Sequence, residues 1–376
     1  MAPAKEWHVR DLFGTLRDPR VVGRCEHDLL DVVVIVLCGT IAGLDDFVSI
    51  ADYAGSKQAW FKDRLGLQLR NGIPSHDTLN RVFALVRPTE FHECFLKWVA
   101  LACARMKIKQ IAIDGKALRG SRKGAAQPLH IVSAWATEAG ITLAQVRTAE
   151  KSNEITAIPE LLDLLDISGA LVSIDAAGCQ KEIAAKIVSK NGDYLLAVKE
   201  NQPRLFADIE RLAAAAMETD YAGLSQHTVE EKGHSREEMR FCFVMTELET
   251  IRDRELWAGL KSLVCVVRCR TANGKESHET QYYVSSRQAG ARQFQQRIRG
   301  HWAIENGCHW VLDVAFDEDD NRLREGHAPE NMALVRKISL AMLTKTPEKM
   351  GIKNRRRKAG YDDAYRERVL SSFPGD

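Results

Sequence analysis

A charge of one sign is the first thing this sequence lacks: 53 Lys and Arg stand against 51 Asp and Glu, for a formal net charge of +2. That excludes a general polycation, so any hold on nucleic acid has to come from local basic patches. Paired cysteine motifs are missing as well. The nine cysteines are scattered, and Cys265 and Cys269, spaced C-x3-C, have no second pair, which argues against a zinc ribbon. An odd count without a secretory signal argues against a disulfide framework. The thiols read as core residues of a reduced, cytoplasmic protein. No apolar run reaches membrane length: Leu29 to Leu44 is interrupted by Asp31 and is too short for a span. It reads as a buried helix, with no membrane partner. What remains is a chain of 376 residues, 45% hydrophobic and 28% charged, the composition of a globular protein with two or three domains.

The chain is organised around IAIDGKALRG, residues 111–120. Lys107 to Ile113 forms an apolar run fit for one buried strand, ending on Asp114 and Gly115. An unpaired carboxylate at a buried strand end needs a cation, a hydrogen-bond cage or water. Lys116, Arg119, Arg122 and Lys123 follow closely with no acid among them. An acid on a rigid strand with cations behind it suits a metal ion and an anionic substrate such as phosphate. Taken alone, Asp114 reads more readily as a helix-capping or strand-end aspartate than as a metal ligand.

Before this stretch, residues 1–100 read as helices. Ser75 is placed to cap a helix that presents His76, Asn80, Arg81 and, near its end, Arg87. Such a region could be a DNA-reading module of helix-turn-helix type or a helical cap on a larger domain. After it, strands at 107–113, 129–137 and 141–148 form a meander. A helix (154–165), a strand (170–175), a helix (180–189), a strand (193–198) and a helix (203–217) follow. This order predicts an α/β fold, a mixed sheet with helices on its faces. Residues 221–289 read as a β-rich insertion with a turn at Asn273-Gly274, and 290–345 as helices, including an amphipathic one over 331–343. The tail, 346–376, opens basic: from Lys345 to Lys358 there are seven basic residues and one acid. It reads as a solvated segment able to touch phosphates without reading sequence.

A second strand ends on an acid, Leu171-Val172-Ser173-Ile174-Asp175, again followed by small residues. If the two strands are neighbours, their aspartates lie side by side, and a divalent cation is the usual remedy for the repulsion. The best source of a third acid is HWAIENGCHW, residues 301–310. On an α-helix His301, Glu305 and His309 fall on one stripe, with Trp302 and Trp310 expected to bury and fix the helix. Nearby acids would favour the cationic form of His301, and metal ions would oppose it. The acidic run Asp317–Asp320 begins like a calcium loop, but Arg322 stands at its sixth position and Ala328 at its twelfth. Pairing with Arg322 and Arg324 fits those acids better than a second metal site.

Asp114 in IDGK, Asp175 in SIDAAGCQ, KENQ at 199–202, KGHSR at 232–236 and the long RGHWAIENGCHWVLDVAFDEDDNR tract resemble insertion-sequence DDE transposases, most closely the H-repeat-associated (ISAs-type) group. The likeness runs from the N-terminal helices to about Leu343. It implies an RNase H-like catalytic core, a five-stranded mixed sheet over 107–220 and 290–345, with the β-rich segment inserted between the second Asp and the Glu. Asp175 and Glu305 are 130 positions apart, ample for such an insertion. Carried over, the metal-binding catalytic triad is Asp114, Asp175 and Glu305. It would hold two Mg²⁺ ions, with Mn²⁺ able to substitute. Lys116, Arg119, Arg122, Lys123, Lys199, Asn201, Gln202, His234, Arg236, Arg299, His301 and His309 become candidates for contact with DNA. The implied partner is double-stranded DNA, at element ends and at the target, bound by a homodimer. A nuclease without strand transfer and an inactive, element-derived DNA-binding protein share most of these residues. The chain departs from the superfamily signature Y-x2-R-x3-E-x6-K, with Ile298, His301 and Leu312 at the Tyr, Arg and Lys positions. Whether Arg297, Arg299 or His309 replaces them is open at the level of sequence.

Overall fold

The parallel pairing of two strands sets out the architecture. β1 (Gln110–Leu118) lies beside β4 (Leu171–Ile174), in register from Gln110 with Leu171 to Ile113 with Ile174. In this computed structural model the described residues are 13–21, 23–103, 106–124, 127–148, 154–233, 236–272, 275–346 and 348–372. Parallel neighbours need a crossover, and here it consists of β2 (Leu129–Ala136), β3 (Ile141–Arg147) and helix α6 (Glu154–Asp163). α7 (Lys181–Ser189) then leads to β5 (Asp193–Val198), parallel to β4. The expected meander followed by alternating helices and strands is present.

The β-rich segment does not stand apart. After α8 (Pro203–Glu218) come β6 (Ser225–Gly233), β7 (Arg236–Met245), β8 (Ser262–Ala272) and β9 (Lys275–Ser285). β9 pairs antiparallel with β5, so the expected five-stranded sheet is instead one sheet of nine, ordered β3-β2-β1-β4-β5-β9-β8-β7-β6. β6 has no apolar alternation, and its mostly exposed, charged side chains suit an edge strand. The Asn273-Gly274 turn lies outside the described residues.

The N-terminal helices are α1 (Leu29–Ile41), α2 (Phe47–Ser56), α3 (Gln58–Leu65), α4 (His76–Leu85) and α5 (Pro88–Cys103). Ser75 caps α4 as the sequence predicts, and Asp28 and Asp46 do the same for α1 and α2: each accepts a backbone N–H of the first turn. Of these, α1, α4 and α5 pack on α11 (Ala328–Lys345), which also touches β3. The helical region therefore caps the sheet and shares one core with it. α11 differs from the amphipathic helix expected. Every residue from Asn331 to Leu343 is buried, because it has the sheet on one side and helices on the others.

The C-terminal tail also departs from expectation. It folds into α12 (Ile352–Tyr361) and α13 (Asp363–Ser371). Arg355 donates to the carbonyls of Leu343, Thr346, Glu348 and Met350, closing the end of α11. Arg356 is buried; it bonds Thr40 O at 2.9 Å, Asp45 Oδ1 at 2.7 Å and Ala315 O, and lies 4.0 Å over the Phe316 ring. Lys358 pairs with Glu348 at 2.7 Å, while Arg357, like Lys349 and Lys353, stays exposed. Carbonyls at helix ends and loop turns, rather than solvent, take up this charge.

Removing one partner of a buried, multiply bonded cation strands the others. Arg356→Ala is therefore expected to cost about 3 kcal/mol or more, with little salt dependence, while Arg357→Ala stays within about 0.5 kcal/mol of wild type. Denaturant midpoints at low and high salt check both.

Candidate active site

β1 runs on to Leu118 against β2 after its pairing with β4 ends, so Asp114 is not at a strand terminus as expected. Asp114 and Asp175 directly follow the last parallel pair, Ile113 and Ile174, so the two acids leave adjacent strands at the same level. Asp114 Oδ1 accepts the Gly115 N–H at 2.9 Å, and Asp175 Oδ1 accepts that of Gly178 at 3.4 Å. The turn after Asp175 is held from α8's start. Asn201 Nδ2 donates to Ala176 O at 2.7 Å and Gln202 Nε2 to Cys179 O at 2.8 Å. Both are candidates for contact with DNA by sequence; in the structure their amides brace the aspartate's turn.

Glu305 arrives from across the sheet. α9 (Ala291–His301) packs Phe294 and Ile298 against Leu171, Val264 and Tyr283. Gly300 allows the crossing, since a Cβ there would come 2.6 Å from Gln110 Oε1. The chain then makes a π-helical turn, Glu305–His309, before α10 (Trp310–Phe316). Such turns are rare and recur at functional sites. Ile304, Cys308 and Leu312, spaced by four, form the buried row. Trp302 and Trp310 lie two residues off that row, about 200° around a helix, and are 43% and 61% exposed rather than buried. Leu312 is a core residue, so no DNA contact is made from the signature's Lys position.

Asp114 is the common neighbour in this cluster. His309 Nδ1 lies 3.3 Å from its Oδ2, and the His309 Nε2 atom is buried without a partner. Burial, with Asp114 adding to it, raises the Glu305 carboxyl. His301 does not become the cation expected from its acidic surroundings. Burial lowers its pKa despite the pull of Asp114 and Asp175, and its Nδ1 sits 3.2 Å from Ser173 Oγ. Of the three candidates to replace the signature's cations, Arg297 pairs with Glu138 at 2.8 Å and Arg299 with Glu231, while His309 lies in the cluster.

Two residues had not been singled out from sequence. Glu154, at the start of α6, has Oε1 3.3 Å from His130 Nε2 on β2. Burial, then Asp175 and Asp114, push its pKa up to about 7. Burial lowers that of His130 against the pull of Asp114. Only the fold could find them, because Glu154 reads in the sequence as an ordinary first-turn helix acid.

The basic tract is divided. Lys116 turns inward to Asp313 at 2.6 Å, Asp319 at 3.0 Å and Glu318 at 3.3 Å. Burial opposes its charge, yet these acids outweigh burial and raise its pKa. It is removed from the surface that phosphates can reach. The same pairing corrects the assignment of the acidic run. Its partners are Lys116, Arg119 and, for Glu318, Arg336, whereas Arg324 bonds Gly120 O. Arg119, Arg122 and Lys123 remain exposed, as does Lys199. His234 and the Arg236 side chain lie outside the described residues.

Among the described residues no three Asp, Glu, His or Cys side chains close into a preformed metal cage. The donor chemistry nonetheless fits a hard divalent ion. Carboxylate oxygens dominate: burial with Asp175 and Asp114 raises the Glu154 carboxyl, burial with Asp114 raises that of Glu305, and among the described residues no lysine or arginine pairs with this group.

Compared with known proteins, residues 105–342 match the family described as Transposase DDE domain, and residues 10–99 match DDE_Tnp_1-associated. YncI of Escherichia coli O157:H7 is 40% identical over 96% of this chain and 94% of its own. The H repeat-associated YhhI of Escherichia coli strain K12 is 39% identical over 94% of this chain and 95% of its own. Both are named as transposases. A solved piggyBac transposase synaptic complex with hairpin DNA aligns over 98% of this chain and 82% of that chain. Its TM-score is 0.40 and its identity 10%, too remote to bear on the site.

A histidine kept neutral by the fold stabilises the protein above its unfolded pKa of about 6.5, and that share is lost as the pH falls and the unfolded chain alone takes the proton. The stability advantage of wild type over His301→Asn should therefore shrink between about pH 7.5 and about pH 5. Denaturant midpoints of both proteins across that range check it; an advantage that grows toward acid would mark His301 as a cation.

Proposed function

The chain belongs to the Transposase DDE domain family, and from that premise we propose that it cuts phosphodiester bonds at the ends of a DNA element and joins the freed 3′-hydroxyl to target DNA. The observation that carries the reading is the shared level of Asp114 and Asp175 on β1 and β4, with Glu305 brought to Asp114 by the π-helical turn. Asp114, Asp175 and Glu305 would hold two Mg²⁺ ions. Such ions stabilise charge on phosphate oxygens and acidify bound water.

The chain's own residues supply position. His309 aims the Asp114 carboxylate through Nδ1, and Asn201 and Gln202 fix the turn carrying Asp175. Gln110 bonds both Ser173 Oγ and Arg297 O, tying α9 to the two central strands. Arg119 and Lys123 are themselves exposed and pair with the half-buried Asp319 and the exposed Glu325. Exposed pairs contribute little to stability, so both cations can exchange these partners for phosphate, and Arg122 joins them. A homodimer would present two such sites, one to each element end. The RNase H-like core fits the run from β3 to β5, with the remaining four strands as its extension.

Asp114→Asn, Asp175→Asn and Glu305→Gln should each lower strand cleavage by about a thousandfold or more while keeping the fold, since each removes charge aimed at the reacting phosphate. Gel assays of nicking and joining on element-end DNA, with circular dichroism melts, test this. Cleavage without joining would make the protein a nuclease, and binding without cleavage an inactive relative.

Replacing Arg122 and Lys123 with Ala should weaken binding of unrelated DNA sequences alike and flatten the log–log salt slope by about 0.9 per lost contact. Lys116→Ala should instead lower stability, as it leaves Glu318 without its nearest cation. Affinity against salt and melting of the free protein separate the two effects.

A further inference from the structure

We propose that Glu154 is a fourth carboxylate of the metal-holding site, beyond the Asp-Asp-Glu triad. This rests on the reading of the chain as a metal-dependent transposase. The geometry begins with Gly115, the residue after Asp114: a Cβ there would come 2.0 Å from Glu154 Oε1 and 2.8 Å from His130 Cε1. Any side chain at 115 would evict the glutamate, so the bare Cα is what lets its carboxylate rest against β1 beside the catalytic aspartate.

The surroundings set its chemistry. Glu154 is 20% exposed, and its partner among the described residues is His130, whose own pKa burial keeps low. The charges facing it are those of Asp175 and Asp114. A surface glutamate at a helix start needs no such company. Asp175 and Asp114 both press on the Glu154 carboxyl, whose partner His130 is kept neutral by burial, and acids so placed repel until a cation enters. Lys116, the nearest basic residue in sequence, is turned away to Asp313, Glu318 and Asp319. Glu154 would thus complete an oxygen-rich donor set that the triad alone does not close, and oxygen donors of this kind suit Mg²⁺ or Mn²⁺.

The test is Mn²⁺ binding to the full-length, DNA-free protein, by calorimetric titration and by the rise in melting temperature with Mn²⁺. Glu154→Gln should bind Mn²⁺ about tenfold or more weakly and lose most of the metal-dependent rise in melting temperature, because a donor and its charge are gone. Without metal it should melt at or above wild type, because one of three repelling acids has been removed. Gly115→Ala, which keeps every charge but displaces the carboxylate, should show the same weakened response. Glu154→Asp should fall between Gln and wild type. Wild-type Mn²⁺ affinity in Glu154→Gln overturns the proposal. So does a metal-free protein that melts well below wild type, which would make Glu154 a fold-holding partner of His130. Asp175→Asn separates the two levels of the argument. If it abolishes binding while Glu154→Gln does not, only the fourth carboxylate fails; if neither variant changes binding, the metal site itself fails.

Discussion

The parallel register of β1 and β4 is the constraint from which the rest of the site follows. Because both strands run the same way, the acids that follow their last shared pair emerge at one level, and no loop has to be trained to bring them together. The same choice forces a long crossover. That crossover supplies β2 with His130 and then α6, whose first residue is Glu154, back over the same edge. The local crowding of acids is thus a consequence of topology. A parallel strand pair gathers at one sheet edge what the sequence spreads over some sixty positions.

Around this edge the protein keeps its cations occupied elsewhere. Lys116 follows Asp114 by two residues yet points into the cage of Asp313, Glu318 and Asp319. Lys337 is buried on α11 and bonds Ser133 Oγ at 2.8 Å, with Gln145 Oε1 as a second acceptor. Burial lowers its pKa and that of Arg336, which faces Glu318. These pairs join β1, β2 and β3 to α10, the segment after it and α11. Buried ions add little net stability, but they fix which element faces which. Among the described residues they leave Asp114, Asp175 and Glu305 with His309 beside them and no lysine or arginine partner, which suits the proposed role of holding an added cation.

Much of the outline was legible in the sequence because it rests on local rules. The start of α4 followed from Ser75, and the meander and alternating helices from apolar periodicity. β6 was not legible, because an edge strand of charged residues carries no such period. Nor was the burial of α11, since a helix packed on every side loses the one-sided stripe that marks a surface helix. The tryptophans misled for a related reason. Large aromatics are usually buried, but here the row at Ile304, Cys308 and Leu312 had already taken the core face.

By itself, the sequence determined which residues are candidates for chemistry: the two aspartates after apolar strands, the glutamate between two histidines, and the basic run beyond Asp114. Those assignments depend on residue type and near-neighbour spacing, which the chain carries whether folded or not. Tertiary structure alone decided which charges meet. It sent Lys116 inward, buried Arg356, kept His301 neutral and set Glu154 over Gly115. Each outcome is settled by burial and by partners dozens to hundreds of residues away. The state of a charge depends on the medium and the ions around it, and neither exists until the chain has folded.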